Sequence, residues 1–336
     1  MSDWARGGQR TLLTGGTGFL GINVADALMR TGREVLIVSR HRPLLPEHAL
    51  HFAQADVLAR AQIQRLFDDF APTEVVHLAA KTDFLDREDP VGFEINTMGT
   101  RNVVLAAARS ATTRRLIFAS SHVVALPRVT DRAPQRDRIP RFYEESKLAG
   151  EQIVRACVDT PFAWCIVRPC SVWGPWFRRP FREFFLTIAR GRYFHPGTAD
   201  PPKRLAFVGN LCHQLLALLR APEDKVHSRI FYLADYEATT LSTWANLIAD
   251  RLGVPPARRM PETIVRLGAH AGDLLKSVGY RYPPLSSFRL TNMRADISEV
   301  PVDPIRQVAG PLPYSLEQGV DITVDWLRQS GLVKSG

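Results

Sequence analysis

The chain has 336 residues, is 45% hydrophobic and 23% charged, and carries 43 Lys and Arg against 34 Asp and Glu for a formal charge of +9. This composition excludes a disordered or collagen-like chain and suits one large or two closely joined domains around a sizeable core, while apolar runs such as those at 103–108 and 215–219 fall well short of the ~20 residues that span a bilayer. The basic residues are dispersed and accompany no nucleic-acid motif; with no basic-then-apolar leader at the start, the expectation is a cytoplasmic protein of small anionic ligands, with no nucleic-acid and no membrane partner.

In chain order, short apolar runs at 11–14, 35–38, 75–78, 116–119 and 164–167 read as strands buried on both faces. Amphipathic stretches near 19–31, 59–70, 90–109 and 143–158 separate them, each long enough for a right-handed crossover. The pattern predicts a doubly wound parallel α/β sheet. Residues 127–140 are polar, Arg-rich and proline-bounded, hence a surface loop. After Pro169 the chain is broken by prolines, with helices near 210–220, 241–252 and 261–276, and the run at 230–233 is expected to return to the large sheet. The expected division is 1–170 for the nucleotide domain and 171–336 for a smaller lobe, interleaved by that return near 205–235. Cys157, Cys165, Cys170 and Cys212 form no Cys-x-x-Cys pair and sit among apolar residues, so they read as buried free thiols, with no metal site.

The first strand runs into Thr14-Gly15-Gly16-Thr17-Gly18-Phe19-Leu20-Gly21 and then a helix. Gly15 permits the tight turn, Gly18 lets backbone amides approach a pyrophosphate, and Gly21 allows close packing of the helix, whose N-terminus supplies positive potential. The second strand ends Val38-Ser39-Arg40-His41-Arg42, without the carboxylate that commonly receives the ribose hydroxyls of NAD. Ser39 and Arg40, helped by Arg42, favour a 2′-phosphate, so NADP(H) is preferred with NAD(H) as the alternative. Asp56 either bonds the adenine amino group or caps the following helix.

Tyr143 and Lys147 lie four apart, on one face of a predicted helix, with Ser146 beside Lys147 and Ser121 ending an earlier strand. A nearby ammonium is expected to lower the pKa of the phenol toward the working range, and Ser121 to hold a substrate oxygen. Arg178, Arg179 and Arg182, interleaved with Pro180 and Phe181, frame either a phosphate-binding lip or a solvated loop.

With the glycine loop, His77-Leu78-Ala79-Ala80, Asn96-Thr97-Met98-Gly99-Thr100-Arg101-Asn102, Ser120-Ser121, Tyr143-Glu144-Glu145-Ser146-Lys147 and Arg168-Pro169-Cys170-Ser171-Val172-Trp173-Gly174-Pro175, the sequence resembles the extended short-chain dehydrogenase/reductases, nucleotide-sugar epimerases, dehydratases and 4-keto reductases. The resemblance covers nearly the whole chain and implies a Rossmann-type sheet with a smaller, interleaved C-terminal substrate lobe. It implies Tyr143 as general acid/base, Lys147 as the residue that tunes it and bonds the nicotinamide ribose, and Ser121 on the reacting oxygen. It assigns Gly15, Thr17, Gly18, Phe19, Leu20, Gly21, Ser39, Arg40, Asp56, Val57, Leu78, Ala79, Ala80, Asn96, Lys147 and Pro169 to the cofactor. Lys81, Asp83, Ser121, His122, Tyr143, Arg204 and Arg289 are assigned to substrate, with Arg204 and Arg289 on a nucleotide diphosphate. Asp83 and His122 are also read as an extra acid/base, against a solvated charge and a packed imidazole.

Ser121 is followed by His122-Val123 rather than the acidic pair of the dehydratases, which disfavours dehydration. The resulting expectation is reduction or epimerisation of a nucleotide-activated sugar by a homodimer paired through the helices near 90–109 and 143–158. Two alternatives stand beside it. One is oxidation or reduction of a steroid-like or other lipophilic alcohol, suggested by Trp173, Trp176, Phe181, Phe184 and Phe185, which also read as core. The other is a non-catalytic dinucleotide sensor.

Overall fold

The computed structural model describes residues 8–82, 92–125, 141–280, 283 and 285–334. Its centre is one parallel sheet of β1 (Arg10–Thr14), β2 (Glu34–Ser39), β3 (Phe52–Gln54), β4 (Glu74–His77), β5 (Arg115–Ala119), β6 (Ala163–Pro169) and β7 (Arg229–Leu233). The spatial order is β3-β2-β1-β4-β5-β6-β7. Every residue of β4 and β5 is buried, as strands covered on both faces must be. Strand order reverses between β1 and β4, so the loops leaving their C-terminal ends diverge and open the crevice in which such sheets bind ligands.

Helices α1 (Phe19–Met29), α2 (Pro46–Ala49), α3 (Arg60–Phe70), α4 (Thr100–Arg109) and α5 (Arg141–Arg155) connect the first six strands. The anticipated helix at 90–109 is a π-type turn over Ile95–Gly99 continuing into α4; its residues up to 91 lie outside the described set, as does the whole of the loop expected at 127–140. Strand β3 was not anticipated, because three residues at a sheet edge carry no periodicity to read. The predicted return strand is β7, with Ile230 opposite Ile166.

The smaller lobe is built on α6 (Phe181–Ala189), α7 (Val208–Arg220) and helices Leu241–Leu252, Glu262–Ser277 and Ser287–Arg294. Its core is continuous with that of the sheet: Leu13, Ile37 and Val76 belong to the same buried cluster as Trp173, Phe185, Phe207 and Trp244. Trp173 anchors this junction, with ring centroids 5.1 Å from Phe207 and 5.2 Å from Trp244. Cys165, Cys170 and Cys212 are buried thiols whose pKa desolvation raises to about 12, which leaves them protonated and unreactive.

Candidate active site

The glycine loop leaves β1 through a turn only glycine fits. Gly15 has φ +71°, its N–H donates to Val38 O at 2.8 Å, and a Cβ there would lie 2.7 Å from Ala79 N. Gly21 packs α1 onto the loop itself, since its Cβ would stand 2.2 Å from Gly15 O. No side chain caps α1 at Gly18, and Phe19, Leu20 and Gly21 line the cleft, so the leading amides of the helix remain as donors for an anion. The cleft has a volume of about 2460 Å³, larger than the ~300–1,000 Å³ of an ordinary small-molecule site. These features fit a dinucleotide together with a second ligand.

At the far end of that cradle, Thr17 and Ser39 hydroxyls are 2.7 Å apart, and Ser39, Arg40, His41 and Arg42 line the cleft. Arg40 is held by its backbone, whose carbonyl accepts from Gln54 Nε2 at 3.0 Å, while its side chain is exposed. Asp56 and Val57 line the cleft as well. Asp56 does not cap α3, which starts after Ala59 without a side-chain cap; its Oδ1 accepts the Leu58 N–H at 2.9 Å.

Ser121, Tyr143 and Lys147 converge where β5 and α5 meet the cleft, all three buried. Tyr143 is hydrogen-bonded to Ser121, and burial pushes its pKa up to about 12, with the Ser121 bond pulling the other way. The expected lowering by Lys147 is therefore not what the protein environment does. The Lys147 Nζ instead donates to Ala119 O at 2.8 Å and lies 5.5 Å from the centre of the Phe118 ring. Desolvation lowers its own pKa to about 7, partly countered by Glu151. Pro169 lines the cleft nearby, and its carbonyl lies 3.2 Å from Nδ1 of His122, a largely packed imidazole whose pKa burial lowers.

Behind this wall, Asn96 does not line the cleft. Its amide oxygen accepts Lys81 N–H at 2.8 Å and its amide nitrogen donates to Lys81 O at 3.1 Å and Ser146 Oγ at 2.9 Å. Asn96 thus ties the loop after β4 to α5, positioning rather than touching a ligand. That loop carries Leu78, Ala79, Ala80 and Lys81 along the cleft, with the Lys81 Nζ 4.7 Å from the centre of the Phe93 ring. Asp83 lies outside the described residues. His77, below the loop, is fully buried between Thr14 Oγ1 at 2.6 Å and Thr100 Oγ1 at 3.1 Å, and desolvation, helped by Lys147, lowers its pKa from 6.5 to about 3. The unfolded chain takes up this proton near 6.5 and the folded one only near 3, so stability falls as pH drops through that window. Melting curves from pH 7 to pH 4 are expected to fall less steeply for His77→Gln than for the parent; equal slopes would refute the assignment.

The substrate end corrects the sequence reading most. Arg204 does not line the cleft: Nε donates to Ser298 O at 2.9 Å, and one terminal nitrogen donates to Asp235 O at 3.2 Å and to Tyr236 O. It staples the return strand to the C-terminal segment. Arg289 does line the cleft, with its pKa lowered by burial and by the neighbouring Arg179, and Glu183 opposing that shift. Arg178, Arg179 and Arg182 also line it, so that cluster is a lip of the site rather than a remote loop. Of the flagged aromatics, Trp173 and Phe185 are core, Trp176 packs on Trp326 at 5.7 Å, and Phe181 and Phe184 line the cleft. Tyr193, Lys203, Leu205, Leu241 and Trp244 join them there and were missed. They come from three segments distant in the chain, so only the fold assembles them.

The family model described as "NAD dependent epimerase/dehydratase family" matches residues 11–234. A 3 beta-hydroxysteroid dehydrogenase/Delta 5-->4-isomerase of Mycobacterium tuberculosis is 26% identical over 259 residues, 73% of this chain and 70% of the relative. A 2-alkyl-3-oxoalkanoate reductase of Stenotrophomonas maltophilia is 25% identical over 338 residues, 93% of this chain and 97% of the relative. The solved UDP-glucose 4-epimerase of Thermotoga maritima, with UDP-glucose, matches with a TM-score of 0.72 at 19% identity, covering 96% of this chain and 99% of that one, a likeness of fold.

Proposed function

Because the chain belongs to the NAD dependent epimerase/dehydratase family, we propose that it is an oxidoreductase interconverting a ketone and a secondary alcohol on a lipophilic substrate, with Tyr143 as general acid/base. The observation that carries this reading is the buried Tyr143–Ser121 hydrogen bond opening on the same cleft as the glycine cradle. A bound nicotinamide supplies or accepts the hydride. With its pKa near 12 the Tyr143 phenol is protonated at neutral pH, which suits donation to the alkoxide that develops as a ketone is reduced. Ser121 Oγ shares the load by hydrogen-bonding the same oxygen. Lys147, with a pKa near 7 and anchored on Ala119 O, holds the charge balance when the phenol gives up its proton.

A lipophilic substrate is favoured over a nucleotide sugar because Arg204, the expected diphosphate ligand, is engaged by three carbonyls, while Phe181, Phe184, Tyr193 and Trp244 wall the cleft. The named activities of the steroid dehydrogenase and alkanoate reductase relatives support it. The second reading, a nucleotide sugar, draws on Arg289 and Arg179 converging in the cleft, where a diphosphate would relieve their repulsion. Following cofactor absorbance with keto-steroids and alkyl 3-oxo acids in one set and keto sugars in another decides between them: turnover of the sugars alone overturns the first.

NADP(H) in preference to NAD(H), and pairing of two copies through α4 and α5, belong to the same reading. Arg40 is the proposed 2′-phosphate ligand. A charge-assisted bond contributes about 1.5–3 kcal/mol, so Arg40→Ala is expected to raise the KM for NADPH by roughly tenfold to a hundredfold and leave that for NADH near its starting value. Equal changes for both would remove Arg40 from the phosphate site.

A further inference from the structure

The helix Glu262–Ser277 is apolar on two faces, and among the described residues only one of them is covered. Val265, Ala269 and Gly272 turn inward. Val265 and Ala269 pack with Leu290 against Phe194, Met260 and Leu285, and a Cβ on Gly272 would lie 1.8 Å from Leu285 O. The contact is so close that the orientation of the helix is fixed. On the outside, Ile264, Leu267, Ala271, Leu274, Leu275 and Val278 follow the three-four spacing of a helical stripe. The stripe stands in solvent, with Leu267 72%, Leu274 68% and Val278 74% exposed. Single exposed leucines are ordinary, whereas a contiguous stripe of large apolar residues marks an interaction surface.

Charge identifies what covers it. Arg258, Arg259, Arg266 and Lys276 are exposed along or beside the helix against two acids, an excess of positive charge, with Arg259 also donating to the Gly197 and Thr198 carbonyls. Glu262 pairs with Arg266 at 2.5 Å and Arg294 at 3.2 Å, and Asp273 accepts the Ser287 N–H at 3.2 Å. An apolar stripe with cations at both ends is the pattern of a helix lying in the plane of an anionic bilayer surface. A second copy fits less well, since facing stripes would bring the cations of both chains together. No helix among the described residues is long and apolar enough to cross a membrane, so this contact is peripheral.

We propose that the Glu262–Ser277 helix docks on anionic lipid, immersing its outer stripe among the acyl chains and placing its cations at the headgroup phosphates. Asp273, Lys276 and Ser277 also line the substrate cleft, so the docked face adjoins its mouth. The inference stands on this helix and is independent of the substrate assignment.

Sedimentation of the full chain with vesicles, in the absence of substrate, tests it. Binding is expected to phosphatidylcholine vesicles containing phosphatidylglycerol, to weaken with salt, and to be much poorer on phosphatidylcholine alone. The double variant Leu267→Glu, Leu274→Glu is expected to lose about tenfold or more of that partitioning at an unchanged melting temperature. If it melts lower, Leu267→Gln with Leu274→Gln replaces it. Absence of binding to the anionic vesicles, or a variant that binds as well as the parent, overturns the proposal. So does light scattering that shows a dimer broken by the variant with no vesicle binding, which assigns the stripe to self-association.

Discussion

Replacing Tyr143 with Phe is expected to lower kcat by about 10³-fold, within the ~10²–10⁴ that a positioned acid/base supplies, while dinucleotide affinity stays unchanged. The substitution removes one hydroxyl and keeps the ring, which is buried and packs 6.4 Å from the Phe93 centroid, so fold and cleft shape survive. The lost group is the hydroxyl hydrogen-bonded to Ser121, the proposed proton donor. Initial rates of cofactor oxidation with the best ketone, set beside fluorescence titration of dinucleotide binding, separate the two quantities. Undiminished turnover would sink the mechanism, and a matching loss of cofactor affinity would make Tyr143 a binding residue instead.

Glu74→Ala is expected to destabilise the fold by about 3–5 kcal/mol, the effect of leaving a buried charge without its partner. Glu74 accepts from Arg33 Nε at 2.9 Å and from Thr11 Oγ1 at 2.7 Å, with the Arg33 and Glu74 side chains 2% and 6% exposed. Removing the carboxylate strands a guanidinium and a hydroxyl in the interior, which is dearer than the modest net worth of the pair. The combined variant Glu74→Leu, Arg33→Met removes both charges and is expected to recover most of the loss. Urea unfolding of parent, single and double variants measures this. A single variant with an unshifted midpoint, or a double variant no more stable than the single, would contradict it.

The sheet was legible because strands buried on both faces carry continuous apolar runs and the helices between them are amphipathic; Val75-Val76 and Leu116-Ile117-Phe118 are such runs, even though Glu74, His77 and Arg115 at the strand ends are buried too. β3 escaped because Phe52–Gln54 is too short to show a period. The cut at 170 was only nominal, since Leu13 and Trp244 share one buried cluster. In the site, the glycine loop, Ser121, Tyr143 and Lys147 were legible from local spacing, each set by one strand end or one helical turn.

Arg204 was misread for the opposite reason. A basic residue ahead of Leu205-Ala206-Phe207-Val208 looks like a diphosphate ligand, and nothing in its neighbourhood announces that the carbonyls of Asp235, Tyr236 and Ser298 already wait for it. The ionisation of Tyr143 was misjudged similarly: helical spacing places Lys147 near the phenol, but only packing tells that burial raises the phenol's pKa against the Ser121 hydrogen bond and that the amine answers to Ala119 O.

From the amino-acid order alone came the parallel sheet, the glycine loop at the start of α1 and the Ser-Tyr-Lys group, because periodicity and short-range geometry act between residues close in the chain. Which cations face the cleft, which aromatics wall it, what Asn96 clamps and which stripe of Glu262–Ser277 stays outside were decided in three dimensions. Those outcomes depend on partners from distant segments competing for the same buried donors, acceptors and apolar area, a competition that no local pattern records.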